Sequence, residues 1–139
     1  SRVMQPCICV IIELRYLRLY QGEPMMGGID CQLRAMGFEL HKFMFNKSAM
    51  MQNSQAARLR PRRVADQLID GDVVYVRDLT RIATWSDAQV GHLALLASAT
   101  FDSHSLVVFC LDELVRRGAA DPGLPARYVD ALPDNLRVS

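Results

Sequence analysis

The stretch VIIELRYLRLYQGEP, Val10–Pro24, places a carboxylate that could transfer a proton inside an apolar run. Burying the Glu13 carboxylate in a strand is costly unless it is paired or reaches water. At the carboxyl end of a strand in an open α/β sheet, Glu13 would reach the crevice where ligands bind. We therefore treat Glu13 as a candidate catalytic residue. A structural ion pair with Arg15, Arg18 or Arg77 explains the same position equally well.

Two further segments could bind a substrate. Tyr20–Pro24 is typical of a strand-to-helix turn, and Tyr20 within it is a candidate contact to an acceptor. The run RLRPRR, Arg58–Arg63, carries four arginines around a proline, which most often indicates a solvated loop. Guanidinium groups also match anions such as a glycan phosphate, so Arg58 and Arg62 are candidate substrate-binding residues.

Metal and nucleophile chemistry lack support in the residue spacing. The cysteines are too far from the histidines for a zinc site, so we expect four reduced and mostly buried thiols. They are Cys7, Cys9, Cys31 and Cys110. His104 and Ser105 are neighbours that face different ways in a helix, which makes them a poor catalytic pair. No glycine-rich phosphate loop follows an apolar strand.

The composition is that of an ordinary globular chain. Its 139 residues are 50% hydrophobic and 22% charged, with a formal net charge of +1, so we expect neither nucleic acid nor membrane as the partner. The longest apolar run is too short to cross a bilayer, and no signal peptide is evident, which favours a cytoplasmic protein. Because the chain begins with Ser1, we expect it to be a portion of a longer protein.

The first half of the chain predicts strand, helix and strand. Cys7–Leu17 is an apolar run expected to be covered on both faces, as in a parallel sheet. Apolar residues from Met26 to Met36 recur at helical spacing, and Gly37 is the expected end of that helix. Phe38–Phe45 and Asp72–Asp78 predict two more strands.

The remaining segments predict helices. Helical turns are expected at Met50–Gln52 and Val64–Ile69. Beyond Thr80, the pair Ser86 and Gln89 predicts a capping box, and Asp102–Ser105 offers a second cap before a helix that Gly118 ends. Pro125 opens a third short helix, Ala126–Leu132.

Two stretches carry a resemblance to a known family. Val10–Phe43 resembles the closing part of the FkbM-type methyltransferases: an apolar strand with an internal Glu, a Leu-Tyr-x-Gly-x-Pro turn, a helix and a Gly-Phe-Glu-Leu strand. The matching residues are Glu13, Leu19, Tyr20, Gly22, Pro24, Gly37, Phe38, Glu39 and Leu40. DGDVVYVRD, Asp70–Asp78, is similar to the family's last strand, Ala-Asp-x-x-Phe/Tyr-x-Arg-Asp.

The resemblance implies a Rossmann-like sheet that binds S-adenosylmethionine and moves its methyl group to a hydroxyl of a sugar or polyketide. It also implies that Phe38–Phe45 and Asp72–Asp78 pair antiparallel at the sheet edge. The family's cofactor-binding glycine-rich turn and acidic residue are not in this sequence, nor is its Lys-x-Asp-x-x-Gly strand. We therefore expect this chain alone to bind no S-adenosylmethionine and to be inactive.

These observations together predict an α/β fold. Residues 1–79 would form the C-terminal part of a Rossmann-like methyltransferase sheet, with about three strands and a crossover helix, and residues 80–139 an all-helical extension. We expect the chain to form part of an O-methyltransferase that acts on a small-molecule or glycan acceptor. The alternative is a non-enzymatic helical interaction or dimerisation module derived from a methyltransferase, and a third possibility is a degenerate methyltransferase. An exposed apolar strand edge would also favour self-association.

Overall fold

The computed structural model describes residues 7–139, which form a mixed α/β structure with a three-stranded sheet and four α-helices. The chain divides into two compact units. The first, which holds the sheet, ends at Asp78, and the second is the helical segment Leu79–Ser139.

The first unit is a strand–helix–strand crossover completed by a third strand. Its elements are β1 (Cys9–Arg15), α1 (Met26–Ala35), β2 (Phe38–Ala49) and β3 (Gln67–Arg77). The sheet order is β1-β3-β2, and β3 is antiparallel to both neighbours. The expected antiparallel pairing of the second and third strands is confirmed, with β2 at the edge and β3 in the centre. Because both outer strands oppose β3, β1 and β2 run in the same direction.

The expectation that the first strand lies in a parallel sheet, covered on both faces, is wrong. β1 pairs antiparallel with β3, from Cys9 opposite Val76 to Arg15 opposite Asp70. Its side chains alternate: Leu14 is fully buried, whereas Ile11 and Glu13 are exposed. The apolar run is continuous in the sequence because apolar residues occupy the open face too, and Glu13 marks that face.

One face of the sheet packs on α1. Its buried cluster contains Leu14, Leu33, Phe38, Val73 and Tyr75. The Tyr75 hydroxyl donates a 2.6 Å hydrogen bond to Asp30 Oδ1 on α1. Burial of the ring, followed by this bond, raises the pKa of Tyr75 and keeps its hydroxyl protonated.

The helix α1 ends where the sequence predicts, because Gly37 adopts a left-handed φ of +91°. The helical turn expected at Val64–Ile69 is wrong: β3 begins at Gln67, since its first residues pair with the last residues of β2. Met50–Gln52 is not helical either, and a short 3₁₀ turn occurs at Ala56–Arg58 instead.

The second unit is helical. A 3₁₀ segment at Leu79–Thr84 precedes α2 (Asp87–Ala99), α3 (His104–Arg116) and α4 (Leu124–Asp130). The predicted capping box is confirmed at α2, where Ser86 Oγ accepts from the Gln89 N–H at 3.1 Å and Gln89 Oε1 accepts from the Ser86 N–H at 2.9 Å. At α3, Ser103 occupies the N-cap position without a side-chain capping bond.

The helical unit has its own apolar core, in which α2 packs against α3. Its fully buried side chains include those of Val90, Leu93, Ala97 and Cys110. Gly118 has a φ of +74° just beyond α3, and Pro125 lies in the first turn of α4, as expected. None of the helices within residues 7–139 has the length and apolar content needed to cross a bilayer.

Candidate functional site

The carboxyl ends of β1 and β2 come together beside the start of β3. Tyr16, just after β1, donates a 2.8 Å hydrogen bond from its hydroxyl to Asn46 Oδ1 on β2. Gly71 of β3 lies opposite both Leu14 and Asn46 in the sheet register. These strand ends therefore form one continuous region, which we call the carboxyl-end site.

Gly71 permits this close approach. A Cβ atom at this position would lie 2.5 Å from the Phe45 carbonyl oxygen, 2.8 Å from Tyr16 Oη, and closer still to Asn46 Oδ1. No side chain fits in that space without moving a backbone group. The sequence motif Asp70-Gly71-Asp72 is typical of a turn, but its glycine instead marks a contact inside a strand.

Tyr16 is not among the residues that the sequence pattern indicates, yet it links the two strand ends. Burial, and then the negative charges of Asp70 and Asp72, raise the pKa of Tyr16. Its hydroxyl therefore stays protonated near neutral pH and acts as the donor to Asn46. The signal that could identify it is the glycine in β3, since a strand glycine often marks a close neighbour.

Glu13 lies on the open face of β1, where its carboxylate reaches the surface. Its side chain is 56% exposed and approaches Arg15 at 3.7 Å. Arg15 makes shorter ion pairs, at 3.0 Å with Glu23 and at 2.9 Å with Asp70. Glu13 therefore has an ion-pair partner, as the structural interpretation requires. Arg15 is nevertheless held mainly by Glu23 and Asp70. The Glu13 carboxylate remains accessible to a ligand.

The turn after β1 is fixed by Glu23. Its carboxylate accepts hydrogen bonds from the backbone N–H groups of Leu19, at 3.0 Å, and Tyr20, at 3.3 Å. The Leu19 bond is the main cause that lowers the pKa of Glu23, followed by the Tyr20 bond and the charge of Arg15. The turn holds the Tyr20 backbone, while the Tyr20 residue is 69% exposed. Its ring is therefore free to contact a ligand.

An open cleft of about 900 Å³ adjoins the end of β2. One wall is the segment 45–50, and the other contains Pro61 and Arg62. Asn46 lines this cleft and also binds Tyr16, so the cleft is part of the carboxyl-end site. Of the two candidate arginines, Arg62 lines the cleft. Arg58 is not among the lining residues, and it donates to Gln55 Oε1 at 3.0 Å.

The cleft combines apolar side chains with positive charge. Phe45, Met50 and Pro61 supply apolar surface, and Lys47 and Arg62 supply the charge. Within residues 7–139 neither Lys47 nor Arg62 makes an ion pair with an acid. The arrangement is suited to an organic anion.

The four cysteines are free thiols, but the expectation that most are buried is wrong. Cys110 is buried, and burial raises its pKa to about 12. Cys7 and Cys9 are half-buried, and Cys31 is exposed on the outer side of α1. In the part of the chain that the structure describes, no three His, Cys, Asp or Glu side chains are grouped to hold a metal ion.

Family models, curated proteins and solved structures compared with this chain give no match. The function is accordingly inferred from the residues and from the carboxyl-end site.

Proposed function

We propose that this chain is the acceptor-side, C-terminal part of an FkbM-type methyltransferase that uses S-adenosylmethionine to methylate a hydroxyl group. Three features support the proposal: the motif resemblance in Val10–Phe43 and Asp70–Asp78, the β1–α1–β2 crossover and the antiparallel β3. The observation that carries it is the cleft of about 900 Å³ at the carboxyl end of β2. Ligands of open α/β sheets bind beyond strand carboxyl ends.

The proposed reaction needs an oxygen nucleophile and a base. The acceptor oxygen forms a bond to the methyl carbon while the bond from that carbon to the cofactor sulfur breaks, and the hydroxyl proton leaves. We assign Glu13 to orient this hydroxyl or to take its proton, since its carboxylate is exposed near the end of β1. Tyr20 and Arg62 would contact the rest of the acceptor.

S-adenosylmethionine would be held by sequence outside these 139 residues, in a Rossmann-like sheet that β1, β2 and β3 would complete. The glycine-rich turn and the acid that the family uses for the cofactor have no counterpart in this chain. The isolated chain should therefore give no saturable heat when S-adenosylmethionine is titrated into it. Micromolar binding by a monodisperse monomer of this chain would contradict the proposal.

The direct test is transfer of a labelled methyl group by the full reading frame that contains this chain, with sugar and polyketide hydroxyls as acceptors. We expect labelled acceptor, and we expect Glu13→Gln to lower kcat at least about tenfold with its circular dichroism unchanged. Asp66→Asn is the control, because Asp66 is also exposed and makes no ion pair within residues 7–139. Unchanged turnover in Glu13→Gln would remove Glu13 from the mechanism, and no transfer to any hydroxyl would overturn the function.

A second candidate function is a helical interaction or dimerisation module. It is favoured by Leu95 on α2, which is 65% exposed, and Phe109 on α3, which is 45% exposed. Apolar side chains exposed in this way can bind a partner helix or a second copy. Sedimentation of the chain at several concentrations tests this candidate: association that Leu95→Asp abolishes supports it, and a concentration-independent monomer argues against it.

A further inference from the structure

We propose that the cleft at the end of β2 binds a small molecule that carries a phosphate group, with Lys47 and Arg62 contacting the phosphate. The inference deepens the proposed function by assigning the methyl acceptor to the phosphorylated class, and it rests on that function only for the ligand's role as acceptor. The binding site itself depends on the cleft alone.

The charges of the cleft favour a phosphate. Two other arginines of the sheet unit are neutralised: Arg15 pairs with three carboxylates, and Arg34 pairs with Asp30 and Glu39. Lys47 and Arg62 line a cleft and have no acidic partner within residues 7–139. A phosphate monoester carries about −1.5 to −2 charges at neutral pH, which suits two cations better than a single carboxylate would. Arginine also binds phosphate through two parallel hydrogen bonds.

The apolar surface beside these charges favours a ligand with an organic body, in preference to inorganic phosphate. Phe45 is 62% exposed, and Met50 and Pro61 line the same cleft, so aromatic and thioether groups lie next to the two cations. A volume of about 900 Å³ falls in the range of small-molecule sites. The net charge of +1 lacks the broad positive field that a nucleic acid partner would require.

Asn46 lines the cleft next to Lys47 on β2, where it can orient the ligand. Its Oδ1 accepts the hydrogen bond from the protonated Tyr16 hydroxyl, which fixes the orientation of the amide. In the part of the chain that the structure describes, its Nδ2 group has no other partner and can donate to a ligand oxygen. Asn46 therefore serves as a positioning residue for the ligand in the cleft.

The probe for this site is phenyl phosphate, compared with phenol and with inorganic phosphate. Binding to the 139-residue chain is measured by isothermal titration calorimetry in low salt, without S-adenosylmethionine. We expect saturable binding of phenyl phosphate that is at least about tenfold tighter than binding of either fragment, and weaker in high salt. Saturable binding of phenol with the same affinity would mean that the cleft recognises only the ring, and would overturn the inference.

Substitutions of the basic residues test where phenyl phosphate binds. We expect Arg62→Gln and Lys47→Gln each to weaken phenyl phosphate binding about tenfold, with unchanged circular dichroism. The matched control is Arg60→Gln, because Arg60 belongs to the same arginine run but does not line the cleft. Equal weakening by Arg60→Gln would indicate diffuse electrostatic attraction and would overturn the inference. Absence of phenyl phosphate binding to the unmodified chain would overturn it too.

The outcomes separate the inference from the proposed function. If phenyl phosphate binds and Arg62→Gln weakens it, the phosphate site is supported even when the full reading frame transfers no methyl group. If the full reading frame methylates neutral hydroxyls and phenyl phosphate neither binds nor competes, the proposed function survives and the phosphate inference is overturned.

Discussion

Two groups of arginines differ in what they bind. In the helical unit, Arg116 and Arg117 follow one another at the end of α3, and both pair with Glu113. In the sheet unit, the run Arg58–Arg63 makes no ion pair within residues 7–139. Adjacent basic residues in a sequence therefore have either of two roles. One group stabilises the fold, and the other is available to a ligand.

The difference arises from the backbone. Glu113 and Arg117 are four residues apart, and so are Arg62 and Asp66. A helix brings residues at this spacing together, and α3 does so for the first pair at 2.8 Å. Residues 61–66 are not helical, so Arg62 and Asp66 form no ion pair in the described chain. Spacing predicts a contact only where the helix is present.

The largest expected loss of stability comes from replacing Arg117, whose side chain is 15% exposed. Its guanidinium donates to the carbonyl oxygens of Ile82 and Trp85, each at 2.8 Å, and to the carboxylates of Asp87 and Glu113. Arg117→Ala removes these hydrogen bonds and leaves the Trp85 carbonyl oxygen without its side-chain donor, while Glu113 keeps Arg116, so we expect it to lower the free energy of unfolding by about 3 kcal/mol. Urea unfolding followed by circular dichroism measures this change.

Arg116→Ala is the matched control, because Arg116 binds the same Glu113 carboxylate with a side chain that is 64% exposed. Solvent screens such a pair, so we expect a much smaller loss of stability. Equal losses in the two variants would show that the ion pairs with Glu113 matter more than the buried hydrogen bonds of Arg117.

The second-largest effect on stability is expected for a substitution of Gly71 in the carboxyl-end site. Gly71→Ala would place a methyl group against Phe45 O, Tyr16 Oη and Asn46 Oδ1, so we expect a loss of about 1–3 kcal/mol. Gly91→Ala on α2 is the control, because a Cβ added there would meet no atom outside its own helix within 4 Å. Alanine at Gly91 should raise stability by up to about 1 kcal/mol. If Gly71→Ala were neutral, the close contact of β2 and β3 would be contradicted.

A pH titration gives the third prediction. Hydrogen bonds from Arg116 and then Arg117 lower the pKa of Glu113 from an ordinary 4.5 to about 2. The ionised carboxylate therefore stabilises the fold above pH 4.5, and this contribution is lost as the pH falls toward 2. We expect Glu113→Gln to reduce the fall in Tm over that window, measured by circular dichroism.

Asp112→Asn provides the comparison for Glu113→Gln. Asp112 is an exposed neighbour on α3 and makes no ion pair within residues 7–139. Its replacement should leave the acid-dependent fall in Tm unchanged. A Glu113→Gln curve that also matches the unmodified chain would contradict the role given to the ion pairs.

Local signals in the sequence predict part of this structure correctly. Gly37 ends α1, and Ser86 with Gln89 caps α2, because each depends on residues within one turn. Long-range pairing causes the errors. Gln67 joins β3 through its pairing with Ala49 of β2, and Gly71 contacts Tyr16 from a distant part of the chain.

For the candidate site, the sequence predicts the types of residue that could bind a ligand but not their positions in the fold. The anion-binding geometry of arginine indicates Arg62 as a binding residue, and the fold brings it to the cleft. The same chemistry indicates Arg58 equally, and only the path of the backbone places Arg58 outside the cleft lining. The sequence pattern therefore predicts which residue types suit a ligand, whereas the tertiary structure decides which of them line the cleft.

The smallest expected effect is on the stability of the sheet unit without its free arginines. Arg60, Arg62 and Arg63 are exposed and make no ion pair in the described chain. Replacing all three with Gln should change the free energy of unfolding by no more than about 0.5 kcal/mol, measured by urea unfolding. A loss above about 1 kcal/mol would mean that the run holds the fold, as Arg117 does, and would remove the contrast between the two groups. A neutral result, together with loss of phenyl phosphate binding, would show that these charges serve a ligand and not the fold.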